Sequence, residues 1–259
     1  MNMDLFFREY GQGESIIILH GWLGMSDHWL SIGKFLSNQD YNVIIPDLPN
    51  HGKSFHTQEF SYKEMAEIMN CFCKGKELVR PILIGHSMGG KIGMEMINQE
   101  PDYFKSLILV DIHFKDYNDP NHHSELTKQL REINPSTFSS LKDILHYLQE
   151  KDIDKGWIAI IIKNLHIKIS RPCWKSNLPM LALETDKVMQ EVEVIPNNIP
   201  TLLLRGENSD YVSGSDIDTL RNVYKNLEEV TIKNSGHWVH ADNPSQFLSS
   251  IVNYLRLLP

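Results

Sequence analysis

Cysteine is scarce in this chain of 259 residues: Cys71, Cys73 and Cys173 are the full set. An odd, sparse set does not make a disulfide framework, so a reducing compartment, hence a cytoplasmic location, is expected. Cys71-Phe72-Cys73 is not a CxxC pair and has no second pair to complete a zinc site; it reads as buried thiols on a helix. Long apolar runs are also missing. Trp157–Ile162 falls far short of the roughly 20 residues that a spanning helix needs, so no stable membrane insertion is expected. The first residues show no charged segment followed by a long apolar run, so no signal peptide is expected. Charge is nowhere concentrated, and no block of five or six like charges occurs. With 25 basic and 33 acidic residues the net charge is -8, which argues against nucleic acid or an anionic membrane as the main partner. Internal repeats and low-complexity tracts are absent. Nothing in the sequence marks an oligomeric state.

What is present is ordinary globular composition, 41% hydrophobic and 22% charged, in a chain long enough to bury a full core. Short β-rich apolar runs alternate with amphipathic stretches. Ser15–Leu19, Asn42–Ile45, Pro81–Ile84, Ser106–Val110, Thr201–Leu204 and Glu229–Ile232 read as buried strands. Asp27–Leu36, Tyr62–Phe72, Gly90–Asn98, Ser215–Tyr224 and Pro244–Leu255 read as helices. Asp27, Ser61 and Asn243 are candidate N-caps, with Pro244 in the first helical position. This alternation predicts an α/β fold, a mainly parallel central sheet with helices on both faces. From about His113 to Asn198 no convincing strand occurs. Leu141, Ile144, Leu145 and Leu148 have helical spacing, and Gly156–Leu165 reads as a further helix. The segment is too long for a loop and predicts a helical lid between two late strands. The expected division is a core of 1–112 and 199–259 with a lid of 113–198.

The sharpest chemical signal is Gly85-His86-Ser87-Met88-Gly89-Gly90, a G-x-S-x-G between a strand and a helix. A strand that turns at once into a helix strains its middle residue, and flanking glycines remove the clashes. Ser87 then projects above the sheet, and the Met88 N–H points where an oxyanion would form. Gly85 to Lys91 also spells G-x-x-x-x-G-K, but a P-loop needs Ser or Thr next and Ile92 stands there. Gly52-Lys53-Ser54 has Asp47 where the first P-loop glycine belongs. Gly11-Gln12-Gly13 lacks the third glycine of a dinucleotide fingerprint and precedes its strand. His20-Gly21-Trp22-Leu23-Gly24 ends the first strong strand. There Gly21 allows close approach to the nucleophile, and the Trp22 N–H is a candidate second oxyanion donor. A plain glycine turn is the alternative. His20 and His86 read as structural. A serine needs an adjacent base. His237, in Ser235-Gly236-His237-Trp238-Val239-His240 after the last strand, follows the turn glycine and is preferred to His240. The His122-His123 pair has no convergent carboxylate or metal spacing and reads as solvated lid.

Together these motifs resemble the α/β-hydrolase superfamily across nearly the whole chain: HGWLG at 20–24, PDLPNHGKS at 46–54, GHSMGG at 85–90 and GHWVHADNP at 236–244. LVDI at 109–112, KNL at 163–165, WKSNLP at 174–179 and RGENSDYVS at 205–213 resemble the YbfF-type acyl esterases and their mitochondrial relatives. The resemblance implies hydrolysis of short to medium acyl esters or thioesters, without cofactor. Most of the superfamily carries the triad acid after the strand read as Thr201–Leu204, three residues past a glycine. Counting from Gly206, that place is Ser209, and Asp210 comes one late. Asp111, at the end of Ser106–Val110, stands where the YbfF-type esterases place theirs. Either carboxylate can fix the imidazole, with Asp111 preferred and Asp210 the alternative. Trp174, Leu178, Met180 and Leu181 are candidates for lining an acyl pocket, or equally for lid core. A menaquinone-pathway lyase of the same fold echoes HGWLG and SMGGK but has arginine where Lys91 stands. Carbon–carbon bond hydrolysis and a non-catalytic ligand-binding role are the other readings, the last weakened because Ser87 and His237 both stand.

Overall fold

The computed structural model describes residues 5–118, 124–151, 153, 155–166 and 171–258; His122 and His123 lie outside them. The chain opens with strands β1 (Phe7–Tyr10) and β2 (Glu14–Leu19), then a 3-10 turn over Ser26–Trp29. Helix α1 (Leu30–Ser37), strand β3 (Tyr41–Pro46), helix α2 (Tyr62–Gly75), strand β4 (Ile82–His86), helix α3 (Met88–Gln99) and strand β5 (Ser106–Val110) follow. Helices α4 (Ser124–Glu132), α5 (Leu141–Glu150) and α6 (Lys155–Lys163) come next, then the two-residue strands β6 (Leu165–His166) and β7 (Cys173–Trp174). Helices α7 (Leu178–Leu183) and α8 (Thr185–Met189) lead to strand β8 (Thr201–Gly206). Helix α9 (Gly214–Val223), strand β9 (Leu227–Ile232) and helices α10 (Val239–Asp242) and α11 (Pro244–Leu255) complete it.

Seven strands form one sheet in the order β1-β3-β2-β4-β5-β8-β9, parallel except for β1, which runs antiparallel to β3, and β6 and β7 form a separate antiparallel ribbon. Side chains alternate across a strand, so each strand feeds two layers. Ile16, Ile18, Val43, Ile45, Ile84, Ile108 and Leu204 pack on one face with α1 and α11. Ile17, Leu19, Ile44, Leu83, Leu107 and Leu203 pack on the other with α2 and α3. That second cluster continues without a break into the inserted segment through Ile144, Ile161, Leu178 and Leu181. No helix among the described residues is long and apolar enough to cross a membrane.

Several local expectations change. Asp27 does not cap a helix: the segment begins as a 3-10 turn after Met25, and Asp27 pairs with Arg8 instead. Ser61 and Asn243 do cap, accepting from the N–H groups of Glu64 and Gln246. Strand β9 is a half-exposed edge rather than a buried strand. Cys71 is exposed, while Cys73 is buried. The inserted segment contains the β6–β7 ribbon as well as helices, because two-residue strands leave no alternation in a sequence.

The insertion is tied to the core at its stem. Tyr117 N–H donates to Met189 O at 2.9 Å and Val192 N–H to Phe114 O at 2.8 Å. Lys91, on α3 and only 1% exposed, reaches this stem. Its ammonium donates to the carbonyls of Lys115, Met189 and Gln190 at 2.8, 3.1 and 2.5 Å. Three carbonyl acceptors need three N–H donors, which only the charged form has. Burial acts against that charge and pushes the Lys91 pKa down to about 7.

Candidate active site

The site is built where β4 meets α3. Ser87 takes φ 53° and ψ -122°, a conformation rare for a residue with a side chain and held only by its surroundings. A Cβ on Gly89 would sit 2.4 Å from Leu19 O, so the helix packs against β2 as only glycine allows. Ser87 N–H donates to Val110 O at 3.2 Å, which ties the elbow to β5. Met88 is the first residue of α3, where N–H groups lack intrahelical acceptors and the helix dipole favours negative charge. On the facing loop, a Cβ on Gly21 would lie 2.8 Å from His86 Nδ1 and 3.3 Å from Ser87 Cβ. That loop therefore runs against the serine, as the HGWLG motif predicts.

His237 follows β9 and reaches back over the strand ends. Its Nδ1 lies 2.8 Å from Asp111 Oδ2. A carboxylate only accepts, so Nδ1 carries the proton and Nε2 is the nitrogen left to take another. Tyr211 stacks on the imidazole with ring centroids 3.5 Å apart. His86 Nε2 is 3.0 Å from His237 O, and burial drives the His86 pKa well below its usual value. His86 is thus a neutral donor that holds the His237 backbone.

Asp111 is fully buried and has φ 50°. A buried carboxylate is tolerated only when hydrogen bonded. Its Oδ1 accepts from Gly206 N–H at 3.0 Å, and Oδ2 accepts from Ser209 Oγ at 2.5 Å as well as from His237. Ser209 occupies the register where the superfamily's usual acid belongs, and its hydroxyl donates to Asp111 after the neighbouring strand. Asp210 is exposed. His240 is buried elsewhere, stacked on Trp29 with centroids 4.1 Å apart. His20 holds its loop through Gly21 O and the Leu48 N–H.

Ser87 and His237 line one cavity with Gly21, Trp22, His86, Trp157, Met189, Tyr211 and Trp238; its empty volume is about 270 Å³, part of it open to solvent. Trp157 and Met189 come from the insertion. Trp174, Leu178, Met180 and Leu181 are not among these lining residues. Leu178 and Leu181 are fully buried in the shared core, Met180 is 8% exposed there, and Trp174 lies on β7 packed against the same cluster. The lid-core alternative describes them. Nothing in the sequence marks Trp157, since an aromatic in an apolar helix reads as core. Tyr211 and Trp238 lie within the RGENSDYVS and GHWVHADNP motifs, which is the signal the sequence holds for them.

The family model described as alpha/beta hydrolase fold matches residues 14–143. The mouse sn-1-specific diacylglycerol lipase ABHD11 is 30% identical over 93% of this chain and 80% of its own length. Esterase YbfF of Escherichia coli is 27% identical over 93% of this chain and 92% of its own. A solved structure titled "Marine microorganism esterase" superposes with a TM-score of 0.92 at 33% identity, covering 98% of this chain and all of that one.

Proposed function

The chain belongs to the α/β-hydrolase family, and from that premise we propose that it is a serine esterase or thioesterase acting on short to medium acyl groups. The observation that carries the reading is the buried Asp111 bonded to His237, which lines the same cavity as the strained Ser87. In the proposed first step the Ser87 hydroxyl attacks the acyl carbonyl carbon and its proton passes to His237 Nε2. Asp111 keeps the imidazole in the required tautomer and stabilises the imidazolium. The Met88 and Trp22 N–H groups receive the oxyanion. His237 then gives its proton to the departing alcohol or thiol, leaving an acyl-Ser87 ester. Water, deprotonated by His237, attacks that ester, releases the carboxylic acid and restores the serine.

The cavity walls support an uncharged acyl group, since three tryptophans, Met189 and Tyr211 supply most of them. Segment 113–198 acts as the lid in this reading, contributing Trp157 and Met189 to the pocket. The relatives named as an esterase and a lipase support the same reaction class.

Asp111→Asn, which leaves the wrong imidazole tautomer in place, is expected to lower kcat on the order of 10⁴-fold. Asp210→Asn is expected to stay near native. The reverse result would move the acid to Asp210.

A further inference from the structure

Leu23 is an unusual residue for the centre of a turn. Gly24 N–H donates to Gly21 O at 2.9 Å, and within that turn Leu23 has φ 57°. A branched apolar residue is disfavoured there and persists only if the surroundings hold it. Two bonds from outside do so. The Leu23 N–H donates to His51 Nε2 at 3.2 Å, and the Leu23 carbonyl accepts from Asn164 Nδ2 at 2.8 Å.

His51 belongs to the core, but Asn164 belongs to the insertion, just after α6. It is fully buried, and every polar atom of its side chain is engaged. Nδ2 also donates to Ile160 O at 3.0 Å, and Oδ1 accepts from Ser176 Oγ. Ser176 Oγ in turn accepts from the Gly52 N–H at 2.9 Å. The amide is thus oriented by a relay that begins on the core loop after β3 and ends on the turn beside Ser87. Losing it would leave the buried Leu23 carbonyl without this donor and would release the strained φ, rotating the peptides that flank Trp22.

We propose that Asn164 is a positioning residue for the oxyanion turn, so that the Trp22 N–H is correctly aimed only when the insertion is docked. The inference rests on the serine-esterase reading above. It makes docking of the insertion and competence of the oxyanion site one event.

The test compares native protein, Ser87→Ala, Asn164→Ala and Ser176→Ala on p-nitrophenyl butyrate. Inhibition by an alkyl trifluoromethyl ketone, whose adduct places an oxyanion in the hole, is measured in parallel. Asn164→Ala should lower kcat by about 10- to 100-fold, less than the roughly 100- to 1000-fold that removing an oxyanion donor outright costs. KM should stay within about threefold, because ground-state binding is untouched. The ketone Ki should rise by the same factor as kcat/KM falls. Ser176→Ala, which only frees the amide to reorient, should show a smaller loss with the same parallel, and it carries the test if Asn164→Ala does not fold. A lower Tm with native kcat and native Ki in either folded variant overturns the proposal. If Ser87→Ala abolishes turnover while both relay variants keep it, only this inference fails. If Ser87→Ala itself stays active, the serine reading fails and takes the inference with it.

Discussion

Acid should unfold this protein well before its carboxylates are neutralised, and the cause is its buried histidines, three of which show the effect most plainly. His20, His51 and His240 are buried, and burial pushes the pKa of each from 6.5 down to about 3. For two of them the geometry explains why a proton is refused. The His20 ring meets Gly21 O at Nδ1 and accepts the Leu48 N–H at Nε2. His51 meets Pro49 O and the Leu23 N–H in the same way. A second proton would turn each accepting nitrogen toward another N–H. The unfolded chain binds protons at its ordinary 6.5 while the folded chain does not until about 3, so stability falls as pH drops through that window. At pH 5 the loss is about 2 kcal/mol for each ring, or roughly 6 kcal/mol together. That rivals the whole stability of a typical domain, about 5–15 kcal/mol. Urea melts followed by tryptophan fluorescence at pH 7.5 and 5.0 would measure it. His51→Gln, which keeps a neutral amide near the Nε2 position, should remove about 2 kcal/mol of the pH dependence. An unfolding free energy that changes by less than about 1 kcal/mol between the two pH values would show that the fold does not hold these rings neutral.

Two further perturbations probe the insertion. Trp157→Ala should open the cavity and shift the preferred p-nitrophenyl ester to a longer acyl chain, while Trp174→Ala leaves the profile in place; the opposite pattern would put Trp174 in the pocket. Lys91→Met removes the clasp on the stem, and charged hydrogen bonds of this kind contribute about 1.5–3 kcal/mol. Amide exchange at Tyr117 and Val192 should then quicken by about 10- to 100-fold with β4 unaffected, and unchanged exchange would show that the clasp does not hold the stem.

The core of the sheet was legible because buried parallel strands are continuous apolar runs bounded by turn residues. Ser106–Val110 appears in the structure with those same bounds. The edges were not legible. Phe7-Arg8-Glu9-Tyr10 forms β1, yet it carries two charges and is only half buried, so no apolar run marks it. The serine elbow could be read because its constraint is local: the strained residue and its glycines are neighbours in sequence. The carboxylate that meets His237 could not be read that way. Asp111 and His237 are 126 positions apart and meet only through the β5-β8-β9 order. Ser209 explains the ambiguity. It keeps the register of the usual acid position but spends its hydroxyl on Asp111. Pocket lining was the least legible, because Trp157 and Leu178 are both apolar residues at helical spacing. Only the packing of the insertion on the core decides which of them faces the serine.

In the proposed function Ser87 is the nucleophile. Native protein and Ser87→Ala should be assayed on p-nitrophenyl esters from acetyl to lauroyl, with a fluorophosphonate probe followed by intact mass. Losing such a nucleophile costs on the order of a millionfold in kcat, so turnover should vanish in the variant, and only the native protein should gain the probe's mass. Ester turnover that survives Ser87→Ala, or a native protein that neither hydrolyses any ester nor takes up the probe, would show that Ser87 is not the nucleophile of an esterase.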